Sequence, residues 1–277
     1  MSPDQAYILM DHCNTVYMSK NGHGDIGQNI ARDKPELLGS ENPQEFIDQV
    51  ERAYRNGHTE NESDGLGYIL AQNNQDLEQV ISQAVEAQQP QDYADGFIYL
   101  LKTQEHNIDI VTAGIEDVAE QTLKQRTNGN TPEITGAKLQ QNGHGIEVDQ
   151  YCSGSNKTQL LREKYGIKTL EDLPTIALGN SDSNDGPMIR EAQIGIGRGD
   201  AYQSADLYTA EDEDFWTRGT LVTIATELLE PGEGEPFEAA KDYAKKADQL
   251  EPVQTGENPN QQAEEILEIF KQVEQSQ

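Results

Sequence analysis

Apolar residues in this chain fall into short runs separated by long polar stretches, and each run has a readable period. Ala6-Tyr7-Ile8-Leu9-Met10 carries no charge and stops at Asp11, which predicts a short buried strand with a carboxylate at its C-terminal edge. Ile108-Asp109-Ile110-Val111-Thr112 breaks into Ala113-Gly114 and predicts a second strand ending on Thr112. Leu173-Pro174-Thr175-Ile176-Ala177-Leu178 and Ile194-Gly195-Ile196-Gly197 predict two more. Helical spacing joins Phe46, Ile47, Val50 and Tyr54 behind the turn Asn42-Pro43, with Asn as N-cap and Pro in the first turn. It recurs in Leu77, Val80, Ile81, Ala84 and Val85, which end at Gln89-Pro90, and in Phe97, Ile98, Leu100 and Leu101. Further helices are predicted over 114–124, from Lys157 onward through Leu160, Leu161 and Tyr165, over Leu221 to Leu229, and over 263–273 with Ile266, Leu267, Ile269 and Phe270. The alternation Gly145-Ile146-Glu147-Val148-Asp149 predicts part of a small hairpin. Helices that alternate with strands imply an α/β fold with a parallel sheet.

Charge changes the picture next. Fifty Asp plus Glu against 20 Lys plus Arg give a formal charge of -30 among 277 residues. A polyanion would be repelled over most of such a surface, which excludes nucleic acid and anionic membrane as partners. Only 34% of residues are hydrophobic, a balance that can signal disorder; the clustering into periodic runs argues for a folded chain instead. Scarce Lys with abundant Asp, Glu, Asn and Gln resembles the composition of proteins from salt-in halophilic archaea, where salt screens the self-repulsion. Two cysteines, Cys13 and Cys152, cannot build a disulfide framework, and a reduced cytosol suits them. With no signal-like N-terminus and no apolar run of about 18 residues, a cytoplasmic protein is expected. The Asn-Gly-His triplets at 21–23, 56–58 and 142–144 are read as exposed turns, because Asn-Gly is a strong turn signal and no acidic or thiol ligand recurs beside them.

Candidate chemistry gathers at the predicted strand and helix ends. Asp11 offers a nucleophilic or metal-binding carboxylate, Thr112 a hydroxyl, Lys157 a cation, and Asp182 with Asp185 a second acidic cluster. In a parallel sheet these C-terminal ends lie on one side. The ordered set resembles the haloacid dehalogenase superfamily: an apolar strand ending in Asp11 with Thr15 four residues on, a strand ending in Thr112, Lys157 at a helix start, and the loop Gly179-Asn180-Ser181-Asp182-Ser183-Asn184-Asp185-Gly186-Pro187-Met188. The resemblance covers residues 6 to about 230, and its lay-out is nearest to the phosphoserine-phosphatase-like branch.

That resemblance implies a Rossmann-like sheet flanked by helices, with a helical cap inserted after the first strand. It divides the chain into a core of 1–15 and 91–230, a cap of 16–90, and an acidic linker with a C-terminal helix over 231–277. It implies Asp11 as the nucleophile that forms an aspartyl phosphate, Thr112 and Ala113 as phosphate-binding positions, and Lys157 as the charge that offsets nucleophile and phosphate. Mg2+ would be held by Asp11, the backbone carbonyl of Cys13 and the acidic loop, where Asn180, Asp182 and Asp185 are the candidates. A small phosphorylated substrate follows; the oligomeric state does not.

Two departures from the pattern matter. Cys13 occupies the place of the family's acid/base Asp, and a thiol with an ordinary pKa near ~8.5 is a poor proton donor to a leaving group. Asn180 replaces the first acid of the loop, with one extra residue before Asp185, so either Asn180 is a neutral ligand or Asp182 takes over. Three functions remain open: a phosphatase, a catalytically weakened descendant that binds a phosphorylated ligand or a protein partner, and a hydrolase of a non-ester bond such as carbon–phosphorus. The last would want a Schiff-base lysine in the cap, where only Lys20 and Lys34 occur, neither in an apolar run.

Overall fold

A computed structural model of the chain describes residues 6–13, 15–19, 48, 76–86, 88–90, 94–103, 105–127, 131–142, 145–208 and 258–275. Strand β1 (Tyr7–Met10) is the centre of a seven-stranded sheet, and it pairs in parallel with β4 (Asn107–Ile115) on one side and β7 (Thr175–Gly179) on the other. Outward from β4 lie β5 (Glu133–Asn142), parallel, and β6 (Gly145–Gln150), antiparallel. Beyond β7 lie β8 (Ile194–Gly197) and β9 (Leu207–Tyr208), both parallel.

The unbroken apolar run of β1 follows from this central place, because a strand covered on both faces needs no polar alternation. Ile8 and Met10 join Ile108, Ile110, Ile176, Leu178, Ile194 and Ile196 in one buried layer, against Phe97, Ile98 and Leu101 of helix α2 (Ala94–Thr103). Leu9, on the opposite face, joins Val111 and Ala177 in a second layer. That layer is closed by Leu161 of α4 (Ser155–Tyr165) and by Met188 and Ile189 of α5 (Asp182–Glu191). Each fully buried aliphatic side chain contributes about 1.5–3 kcal/mol. Among the described residues no helix is long and apolar enough to cross a membrane.

Several boundaries differ from the sequence reading. β4 continues to Ile115, and α3 (Glu116–Arg126) begins there rather than at Gly114. The β4–β5 register shifts between Val111 and Ile115, so Thr112, Ala113 and Gly114 occupy an irregularity of the ladder, a device that re-aims side chains beside sites. The whole of β5 went unpredicted, because its second half, Lys138 to Asn142, is mostly polar. α4 starts two residues before Lys157, after Gly154 at φ +51. Gln89 and Pro90 are not merely a helix end: β3 (Gln88–Pro90) pairs antiparallel with β2 (Tyr17–Ser19).

Helix α1 (Leu77–Glu86) packs beside α3, and α6 (Pro259–Gln275) packs along α2. The helices predicted over 42–54, apart from helical Asp48, and over 221–229 lie outside the described residues, as does most of the 16–90 segment read as a cap.

Candidate active site

β1 ends by passing Asp11 across the C-terminal edge of the sheet, where the backbone N–H of Asp11 is held by the carbonyl of Leu178 at 2.8 Å. The chain then turns tightly: the N–H groups of Val16 and Tyr17 each donate to the carbonyl of His12 at 3.0 Å. Opposite, the first turn of α4 projects Lys157 inward until its side chain is 0% exposed. Its Nζ donates to Asp11 Oδ1 at 2.7 Å, to Asp185 Oδ1 at 2.6 Å and to the carbonyl of Val111 at 2.9 Å. All three ammonium protons are therefore used, as a buried Lys requires.

Asp185 is set from the other direction. Ser181 caps α5, accepting from the N–H of Asn184, and this turn aims Asp185 into the site. Asp185 Oδ2 accepts from the N–H groups of Asn180 and Ser181, both at 3.0 Å. Gly179 is obligatory here, since a Cβ at that position would lie 2.6 Å from the Asp185 Cγ. Thr15 Oγ1 donates to Asn180 Oδ1 at 3.2 Å, tying the loop after β1 to the loop after β7.

One ammonium thus serves two buried carboxylates. Burial and then the neighbouring charge of Asp185 push the Asp11 carboxyl up to about 7, although Lys157 pulls against both. Burial opposes the charge on Lys157, but Asp11 and Asp185 outweigh it and raise its pKa. His12 is 1% exposed and neutral, its pKa pushed down to about 3 by burial and by the Lys157 charge. Its ring stacks on Tyr17 with centroids 5.1 Å apart, and its Nε2 has no hydrogen-bond partner among the described residues.

Thr112 lies on the same rim. Its Oγ1 accepts from the N–H of Gly114 at 2.9 Å and sits 3.9 Å from Cys13 Sγ, which is 3.8 Å from His12 Nδ1. The structure therefore brings Asp11, Lys157 and Asp185 into direct contact, Thr112 beside Cys13, and Asn180 onto Thr15. Ala113 adjoins Thr112 in the irregular part of β4 and is buried.

Asp182 is placed differently. Its side chain is 44% exposed, and Oδ1 accepts from Arg190 Nη1 at 3.0 Å and from the Ser204 hydroxyl. The Ser204 hydrogen bond, foremost, lowers its pKa. The Val111 carbonyl and the buried His12 and Tyr17 escaped the sequence reading. No sequence signal marks a backbone acceptor, and Val16-Tyr17-Met18 is an apolar run of three, too short to interpret.

The geometry can be set beside solved structures. A substrate-bound phosphoserine phosphatase superposes with a TM-score of 0.55 at 20% identity, over 79% of this chain and 98% of that one. The fold is a phosphoserine phosphatase's. A probable phosphoserine phosphatase from Vibrio cholerae gives a TM-score of 0.58 at 16% identity, over 90% and 68% of the two chains. Cytosolic 5'-nucleotidase IIIB bound to cytidine gives 0.51 at 16%, over 82% and 87%. No protein-family model matches the chain, and no curated protein matches its sequence.

Proposed function

We propose that the chain is a haloacid dehalogenase superfamily hydrolase, a phosphatase acting on a small phosphorylated metabolite through Asp11. The observation that carries this reading is the buried Lys157 ammonium shared by Asp11 and Asp185 beside Thr112, at the C-terminal edge of a parallel sheet. Ligands bind at that edge in open α/β folds. Asp11 attacks phosphorus, an Asp11 O–P bond forms and the ester P–O bond breaks, with the leaving oxygen taking a proton. Water then attacks the same phosphorus, and the Asp11 carboxylate departs with release of phosphate. Lys157 favours the ionised form of Asp11 and holds it in place, and Thr112 with Ala113 binds the phosphoryl oxygens.

The donor set fits a hard divalent cation. Lys157 balances one of the two carboxylate charges, leaving the other for a metal, and the available donors are oxygens. Asp11, Asp185, the Cys13 carbonyl and Asn180 would hold Mg2+, with Asp182 engaged in its exposed pair with Arg190. Among the described residues no group of three or more His, Cys, Asp or Glu side chains forms a metal centre, so carbonyl oxygens would complete the shell. When bound, the ion neutralises charge on the transferring phosphoryl group.

A second reading, a binder with little turnover, is favoured by one observation: the side chain at the place of the family's acid/base is the Cys13 thiol, beside a neutral His12. The carbon–phosphorus alternative gains nothing, since Lys20 and Lys34 lie outside the described residues. A screen of phosphate esters with Mg2+ in high salt separates the two main readings. Turnover abolished by Asp11→Asn supports the phosphatase, and inertness toward every ester, relieved by Cys13→Asp, supports the binder.

A further inference from the structure

The loop that carries Asp11 and Cys13 closes at Tyr17, and Tyr17 leads away from the site. Its side chain is 1% exposed, its ring lies on His12, and its hydroxyl donates to Asp95 Oδ1 at 2.8 Å. Asp95 is the second residue of α2 and is itself buried. The next residue, Gly96, donates its N–H to Gln262 Oε1 of α6 at 2.9 Å. A Cβ at Gly96 would overlap the Gln262 side chain and meet the Ala263 backbone at 3.0 Å, so the two helices meet backbone to backbone at this point. Ala263 and Ile266 then enter the same apolar layer as Met10, Val16 and Tyr17.

We propose that α6 is a clasp on the site loop. Tyr17 and Gln262 are positioning residues that fix residues 11–13 and 15–17 through Asp95 and Gly96. The catalytic consequence rests on Asp11 being the nucleophile, whereas the mechanical claim does not. A helix more than 240 residues along the chain from Asp11 thereby sets how rigidly the carboxylate is presented. The polar chain of contacts, Tyr17 to Asp95 and Gly96 to Gln262, gives the clasp a direction that apolar packing alone would lack.

Cys13 reports on the loop without any need for turnover. It is partly exposed, while Cys152 is fully buried and serves as an internal control. The experiment alkylates the native chain with iodoacetamide and follows each cysteine by mass spectrometry, in the wild type, Tyr17→Phe, Gln262→Ala and Gln262→Glu. Loss of one hydrogen bond shifts a local opening by up to about tenfold. Cys13 labelling is expected to accelerate by about that factor in Tyr17→Phe and Gln262→Ala, with Cys152 still protected. Gln262→Glu, which keeps an acceptor for the Gly96 N–H, is expected to return to the wild-type rate. Unchanged Cys13 labelling in Gln262→Ala overturns the proposal, as does acceleration at Cys152 in step with Cys13, which marks general loosening. Should Tyr17→Phe fail to fold, Gln262→Ala and its Glu counterpart decide. A chain inert toward every phosphate ester leaves this test intact.

Discussion

Replacing Lys157 by Met tests the electrostatic centre of the site directly. The substitution keeps the length of the side chain and its packing under α4, but it deletes the ammonium that Asp11, Asp185 and the Val111 carbonyl share. Two carboxylates with 6% and 1% of their side chains exposed then face one another without a counter-charge. Removing one partner of a buried ion pair costs about 3–5 kcal/mol, and an orphaned buried carbonyl adds about 1–3 kcal/mol. The Asp185 carboxylate keeps its two backbone N–H donors, which offsets part of that loss. A net cost of about 4 kcal/mol is expected for Lys157→Met. Urea unfolding at constant high salt, with EDTA present, measures it. The decisive comparison is the double variant Lys157→Met with Asp11→Asn. Once one carboxylate is neutral the remaining repulsion disappears, so the double variant should be more stable than Lys157→Met alone by about 1–3 kcal/mol. A single-variant cost below about 1 kcal/mol, or costs that simply add in the double variant, would refute the shared-ammonium account.

Four further outcomes are expected. Cys13→Asp should raise kcat on phosphate esters by about 10²- to 10⁴-fold, the usual contribution of a placed general acid; kinetics showing no gain argue that the proton is supplied elsewhere. Gly179→Ala should cost about 1–3 kcal/mol by forcing the Asp185 carboxylate aside, read as a lowered urea midpoint. Asp109 is buried between Lys164, at 2.6 Å, Thr135 and Tyr165, and its burial raises its pKa. A carboxyl whose folded pKa exceeds its unfolded value of ~3.9 contributes best when protonated and loses that contribution as pH rises. The stability of the wild type relative to Asp109→Asn should therefore decline from pH 4 upward, toward neutrality, and a difference that grows with pH would contradict this sign. Finally, a charge of -30 should make the melting temperature climb steeply between low salt and molar KCl; a flat dependence would remove the reading of a high-salt protein.

The strands of the inner sheet were legible because burial on both faces leaves nothing but apolar residues, as in Tyr7 to Met10 and Thr175 to Leu178. The edge was legible only in part: the alternation over 145–149 marked β6, whereas β5 mixes Lys138, Gln140 and Gln141 into its pairing and does not declare itself by composition. Asp11, Lys157 and Asp185 were all readable as strand-end or helix-start groups. Their roles were less so, because Asp182 and Asp185 look alike in sequence, and only their tertiary partners, Lys157 for Asp185 and Arg190 for Asp182, tell them apart. The docking of α6 depended on Gly96 admitting Gln262, a fit between two surfaces more than 160 residues apart, which no local pattern records.

The position of β1 in the sheet has a consequence for how the chain is made. It is synthesised well before both of its flanks, residues 107–110 and 175–178. During synthesis at about 5–20 residues per second, the most apolar strand emerges roughly 10 s or more before its second neighbour exists. Both of its ladder edges stand open until residues 107–110 emerge and one until residues 175–178 do, and parallel pairing across such separations is slow in its own right. The same central placement that shields Asp11 in the finished protein makes nascent β1 the strand most in need of a chaperone. Refolding from denaturant should likewise lose most yield when it is started at high protein concentration.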